Sequence, residues 1–340
     1  TADRERKKNI YLAYSNDGGT TWPTPIQIND TRVGGAVEGR KSAFPQMVID
    51  DRDNIFISYV RGSGTGSDDV MLAKVNRFTS PFSILPIGES GTAGTGGIRI
   101  SPDGDRATGP DLAVGDGDVL HLVYFNDTDD RIEHKRMATD TTWIDLSANG
   151  WNQNADGAAV GTFDDEANAA VEVAADYFFP TVVVDRNRLP DQVYSLFKYG
   201  DATPVEGVYF NSYADSGLVG SGVTWGSATS IWKTASPPLF ADGAGNYNIE
   251  LDWEITERIA AIVDDRFDDR GDLHIAFSAG NSGSAEHDIY YARYNGTSWT
   301  LPEKVADDDS DGTGTQDGIA TGDTFLLSPV LAENPDEENI

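Results

Sequence analysis

The chain has 340 residues, a formal net charge of −31 and no cysteine. An acidic surface of this kind repels nucleic acid and anionic membranes, and the missing thiols exclude disulfides, thiolate metal centres and covalent haem attachment. A hydrophobic content of 39% with 10% aromatics is too rich for an acidic disordered chain, so a folded protein is expected.

The chain opens TADRERKKNI, without an initiator Met or an apolar signal region, and reads as a mature or trimmed product. No apolar run approaches the roughly 18 residues that a membrane-spanning helix needs. Residues 9–28, NIYLAYSNDGGTTWPTPIQI, hold two short apolar runs separated by the turn-rich stretch SNDGGTTW. From Phe44 a fuller pattern begins, FPQMVIDDRDNIFISYV: an apolar strand, an Asp-rich turn, and a second strand ending near an aromatic. It recurs as GPDLAVGDGDVLHLVYF from Gly109, FPTVVVDRNRLPDQVYSLF from Phe179 and RIAAIVDDRFDDRGDLHIAF from Arg258.

Each pair leads through a polar loop to a third strand: DDVMLAKV at Asp68, DRIEHKR at Asp130, GVYFNSY at Gly207 and HDIYYARY at His287. A Thr/Ser-Trp dipeptide follows in three of the units, at Thr142-Trp143, Thr224-Trp225 and Ser298-Trp299, and then a short fourth strand such as LPEKV at Leu301. Four antiparallel strands repeated in this way predict an all-β fold, a β-propeller. Helical period is weak and confined to residues 164–177.

The expected organisation is one propeller domain over 1–340. It comprises a partial blade at 9–30, blades near 44–90, 109–150, 179–232 and 258–306, a partial blade at 326–340, and an insertion at 233–257. Five blades are countable, closed by pairing the two ends; six or seven follow if the chain is an excerpt of a longer one.

SNDGGTTW fits Ser-x-Asp-x-Gly-x-Thr-Trp at Ser15, Asp17, Gly19, Thr21 and Trp22. This resembles the Asp-box, or BNR repeat, of the sialidase-like β-propellers, and RYNGTSW (Arg293 to Trp299) resembles a copy lacking the Asp. The resemblance implies a structural role on the blade periphery. Asp17 would cap its own turn, Gly19 supply a positive φ, and Trp22 fold over the blade and bury its indole. It also implies a test for the sialidase arginine triad. The nearest match to its first arginine, Arg99 in GGIRISPDG, lacks the flanking Phe and Pro, and no catalytic residue is assigned. Arg186, Arg188, Arg266 and Arg270 fall in first-to-second-strand turns beside Asp residues and read as turn ion pairs.

His121 and His274 occupy equivalent places where the other units have Phe56 and Tyr194, which makes a packing position the simplest account. A His/Tyr acid–base pair, as propeller polysaccharide lyases use, is the alternative role for these two histidines. Asp307, Asp309 and Asp311, followed by Gly312, alternate as in short Ca²⁺-binding loops, so calcium is the expected cofactor, with a solvated acidic loop as the alternative. In the 233–257 insertion, Phe240, Tyr247 and Trp253 are candidate ligand-binding aromatics.

The expected function is an extracellular binding or scaffold module, secreted or at the cell surface, for a glycan or protein partner. No nucleic acid partner and no membrane insertion are expected. The alternatives are a carbohydrate-active enzyme, either a glycoside hydrolase or a polysaccharide lyase, and a repeat domain of a large adhesin or filament.

Overall fold

In the computed structural model, the residues described are 9–29, 32–33, 36–37, 42–62, 68–76, 83–84, 97–101, 105–128, 131–138, 176–200, 207–215, 225–226, 229–233, 249–250, 259–264, 271–281, 287–306 and 331. The fold class is the expected one: all-β, with antiparallel blade sheets and no helix among the described residues. Of the segment 164–177, only Asp176 and Tyr177 are described, and they begin a strand. The chain divides into two compact units, Thr1–Thr162 with Leu218–Val223, and Phe163–Gly217 with Thr224–Ile340.

The first unit carries β1 (Tyr11–Leu12) paired with β2 (Ile26–Gln27), and β3 (Arg32–Val33) paired with β4 (Ala36–Val37). A blade follows from β5 (Ser42–Ile49), β6 (Ile55–Gly62), β7 (Asp68–Asn76), and β8 (Ser83–Ile84) with β9 (Ile98–Arg99), both short segments pairing with β7. A three-stranded sheet then runs β10 (Ala107–Gly115), β11 (Val119–Asn126) and β12 (Arg131–Ala138). β6 is apolar on both faces because it lies between two cores. Ile55, Ile57 and Tyr59 join Ile10, Ile28, Met71 and Val75 on one side. Phe56 faces Leu112, Leu120, Leu122 and Tyr124 on the other.

The second unit has β13 (Asp176–Asp185), β14 (Asp191–Gly200), β15 (Gly207–Asp215) and β16 (Thr229–Lys233) in one four-stranded sheet. The next blade holds β17 (Ile249–Glu250) and β18 (Ala260–Val263), both pairing with β19 (Leu273–Asn281), then β20 (His287–Tyr294) and β21 (Glu303–Ala306). The predicted insertion is corrected here: Ile249 and Glu250 lie inside 233–257 yet already belong to the blade's first strand. Tyr194, Leu196 and Phe210 pack against Leu273, Ile275 and Phe277 to form the core between these sheets. The Thr181 hydroxyl donates to the Ile259 carbonyl at 2.7 Å across the same junction.

Three first strands begin earlier than the apolar pattern suggests, and each contains a bulge at its X-Pro dipeptide. Phe44-Pro45 stands opposite Tyr59, Gly109-Pro110 opposite Tyr124, and Phe179-Pro180 opposite Phe197. Proline has no N–H to give the ladder, so it fits the place where two residues face one. Phe44 takes a φ of 53° there and Gly109 one of 60°.

The SNDGGTTW turn is closed by its own side chains. The Asp17 carboxylate accepts the Thr21 N–H at 2.8 Å, the Thr21 hydroxyl at 2.6 Å and the Ser15 hydroxyl at 2.7 Å. These bonds, the Thr21 hydroxyl foremost, hold the Asp17 carboxyl down to about 2. The expectation that Trp22 is buried is corrected: its side chain is 61% exposed. Its indole N–H turns back to the Gly19 carbonyl at 3.0 Å, and the sheet whose strands flank it has two strands among the described residues. Trp299, at the corresponding place in the other copy, instead packs on Tyr294 of its own sheet and on Phe210 of the preceding one. Replacing Asp17 by Ala should abolish hydrogen-exchange protection of the Thr21 amide while leaving the β6 and β7 amides unchanged. In the wild type that protection persists above the ordinary carboxylate value of about 4 and is lost as pH falls towards about 2.

Candidate functional site

The Asp residues that close the first-to-second-strand turns are buried and are put to different uses. Asp50 accepts the Arg52 and Asn54 N–H groups at 3.1 and 2.7 Å, and its second oxygen takes the Asn54 side-chain amide at 2.8 Å. Asp185 accepts the Asn187 N–H at 2.9 Å and the Arg188 guanidinium at 2.7 Å. Arg188 is thus a partner of a buried carboxylate rather than a solvated turn charge, and burial pushes the Asp185 carboxyl up. Asp264 instead faces an imidazole: its Oδ2 lies 3.9 Å from Nε2 of His274.

The register places four equivalent pairs across the second and third strands. Phe56 stands opposite Lys74, His121 opposite Arg136, Tyr194 opposite Ser212, and His274 opposite Arg293. Two residues earlier on each third strand, on the same face, come Leu72, His134, Phe210 and Tyr291. At the second-strand place and the earlier third-strand place, two blades carry apolar or aromatic groups, Phe56 with Leu72 and Tyr194 with Phe210. The other two build polar constellations, His121–His134–Arg136 and His274–Tyr291–Arg293.

In the second unit, Nδ1 of His274 lies 2.6 Å from the Tyr291 hydroxyl. Nε2 is too far from Asp264 for a hydrogen bond, so in the neutral ring with its proton on Nε2 the Nδ1 accepts from the phenol, and in the protonated ring Nδ1 donates to it. His274 and Asp264 are buried, whereas Tyr291 is only partly covered and reaches solvent. Arg293 is ion-paired with Asp272 at 3.4 Å. Burial is the main cause holding the Tyr291 hydroxyl above its ordinary value. Arg293 opposes this, and the carboxylates of Asp272, Glu303 and Asp264 reinforce it. The arrangement is a phenol at the surface, an imidazole behind it and a carboxylate behind that, a chain able to pass a proton.

The first-unit copy is sealed. His121 Nδ1 and His134 Nε2 lie 3.2 Å apart, and the rings stack with centroids at 5.5 Å and an interplanar angle of 12°. Both are fully buried. Desolvation, then the positive charge of Arg136, drives His121 down to about 3. Desolvation, His121, Arg136 and Lys135 lower His134 in that order.

Of the residues singled out in the sequence, His274 is brought together with a functional partner. Tyr291 and Asp264 were missed as that partner and its support, although their alternation in HDIYYARY and place before the turn in AAIVDD were the signals available. Arg99 lies on β9 beside Met71. Asp307, Asp309, Asp311, Phe240, Tyr247, Trp253, Arg266 and Arg270 lie outside the described residues. Among the described residues no group of three or more His, Cys, Asp or Glu side chains could hold a metal ion.

No family model and no curated protein matches the chain. Among solved structures, it is similar to an α-L-arabinanase from Penicillium chrysogenum in complex with arabinobiose. Identity is 12%, with 88% of this chain and 73% of that one covered, at a TM-score of 0.47. An α-L-arabinofuranosidase from Fusarium graminearum matches with 13% identity over 86% of this chain and 72% of that one, at a TM-score of 0.43. A Trypanosoma rangeli sialidase in complex with sialic acid matches with 13% identity over 87% of this chain and 33% of that one, at 0.25. Where the sequence led to the expectation of a binding or scaffold module, these solved structures are an arabinanase, an arabinofuranosidase and a sialidase. At such TM-scores they transfer neither a substrate nor a residue role, and the chemistry has to come from the side chains above.

Proposed function

We propose that the chain is a carbohydrate-active enzyme that hydrolyses glycosidic bonds of an uncharged glycan outside the cell. The observation that carries this is the 2.6 Å contact between His274 and the Tyr291 hydroxyl, backed by Asp264. When His274 takes up a second proton, its charge stabilised by Asp264, Nδ1–H becomes the donor to the Tyr291 oxygen, and the Tyr291 hydroxyl proton passes to the glycosidic oxygen as the bond to the leaving sugar breaks. Positive charge develops on the sugar ring, and Asp272 and Glu303 supply negative charge beside Tyr291 where it forms. Water adds to the anomeric carbon, and its proton returns through Tyr291 to the neutral His274.

The net charge of −31 selects the substrate class, because a polyuronate would be repelled during encounter. That favours hydrolysis over elimination, which requires a uronate. The test is to incubate the purified chain with arabinan, xylan, galactan and glucan, and with polyuronates, following reducing ends and unsaturated products. New reducing ends from an uncharged polysaccharide are expected. Unsaturated products alone, or no cleavage of any member, would overturn the proposal.

A further inference from the structure

The buried histidine pair of the first unit plays no part in the chemistry above, and its place in the fold does not require histidine. The equivalent positions hold Phe56 and Leu72 in one blade and Tyr194 and Phe210 in another, and those side chains fill the same strand registers. His121 and His134 are fully buried, stacked, and joined by one nitrogen–nitrogen hydrogen bond of 3.2 Å. One ring must donate and the other accept, so the contact holds when the pair shares an acceptor nitrogen.

β11 lies between β10 and β12 in its sheet, and its Leu120, Leu122 and Tyr124 face packs on Phe56, Val70 and Leu72, which bring no charge to it. On the His121 face β12 presents Arg136 directly opposite His121, and β10 presents Asp111, in one cross-strand row with Val123 and His134. Lys135 and Glu133 lie on the other face, ion-paired to one another at 3.3 Å. A proton taken up by the pair therefore sits without water beside a guanidinium, with the part-covered Asp111 as the carboxylate in its row. A second proton removes the acceptor and with it the hydrogen bond.

We propose that His121 and His134 form an acid-release latch on the β10–β12 blade: the uncharged pair closes the blade at neutral pH, and proton uptake opens it. This stands independently of the catalytic reading. The low affinity of both folded-state rings for protons sets the direction. Their unfolded counterparts take up protons from about pH 6.5 downward, so stability is lost as pH falls below that value towards the folded-state values. Between about pH 7.5 and pH 5.5 this raises the unfolding constant about tenfold per imidazole and about a hundredfold for the pair.

The test compares urea unfolding at those two pH values for the wild type and for His121→Phe/His134→Leu, which copies the Phe56 and Leu72 pairing. The variant should lose most of the hundredfold pH response. Hydrogen exchange should show β10–β12 opening ahead of β5–β7 in the wild type at the lower pH. A second measurement needs no variant: of the four histidine C2–H resonances, two should remain unshifted from about pH 8 to pH 5. An equal pH response in both proteins, or all four resonances titrating near the ordinary histidine value, would overturn the latch.

Discussion

Replacing Tyr291 by Phe lowers the rate of glycosidic cleavage by about 10²–10⁴, the range that a positioned proton donor supplies. His274→Phe, which installs the residue found at position 56, gives a loss of the same size. The double variant is little worse than either single one, because the two groups act as one chain for the proton. A steady-state assay on whichever uncharged polysaccharide is cleaved reads this out, with kcat falling and KM nearly constant. His121→Phe is the control, since it makes the matching change in the sealed copy and should leave kcat unaltered. If His274→Phe and His121→Phe behave alike, both histidines are packing residues and the proton chain is wrong. The phenol and imidazole contribute little to folding by comparison. A lost hydrogen bond at the partly covered Tyr291 costs about 0.5–1.5 kcal/mol and loss of the buried His274 beside Asp264 about 1–3 kcal/mol, so urea unfolding of each variant accompanies the assay.

Gly271→Ala is expected to be the most damaging small substitution in the second unit, lowering stability by about 2–4 kcal/mol in urea unfolding. Two independent effects add at this position. The backbone has a φ of 77°, which an L side chain adopts only under strain. A Cβ built there would also occupy the place of the buried Asp185 carboxylate. Asp185 cannot simply retreat, because its oxygens hold the Asn187 N–H and the Arg188 guanidinium. Gly117 is the comparison. It has a similar φ of 69° but nothing within reach of an added Cβ, so its Ala variant should show the backbone cost alone. Equal losses at the two glycines would mean that the contact with Asp185 contributes nothing.

The repeat was readable in the sequence because each blade rewrites the same order of apolar strand, Asp-rich turn and second apolar strand, and a strand between two cores reads as a near-continuous apolar run. His121 and His274 could be matched to Phe56 and Tyr194 from spacing alone. What lay beyond reach was the third-strand partner. Tyr290 and Tyr291 are adjacent, and only the register decides that Tyr290 enters the apolar core while Tyr291 meets His274. Asp264 and Asp185 look alike as turn residues, yet one caps N–H groups and the other faces an imidazole. Trp22 and Trp299 share a motif, but burial depends on how many strands stand beside each, which no local pattern encodes. The X-Pro dipeptides looked like strand starts because proline usually bounds a strand. Their place opposite Tyr59, Tyr124 and Phe197 is a property of pairing.

Those X-Pro bulges also bear on how such a chain tolerates gain and loss of residues. Each carries one residue more than its partner strand needs, and in β5 only Ser42 and Ala43 precede it. Deleting Phe44 would restore an even ladder with Ala43 still opposite Val60 and Gln46 still opposite Ser58, whereas a deletion after Gln46 would turn part of the strand onto the other face. The strand ends that bear the bulges are thus where length can change with least disturbance. In the last blade the described pairing passes from Glu250 opposite Gly280 to Ala260 opposite Ala276, a span that takes in the register at which the other blades carry a single extra residue.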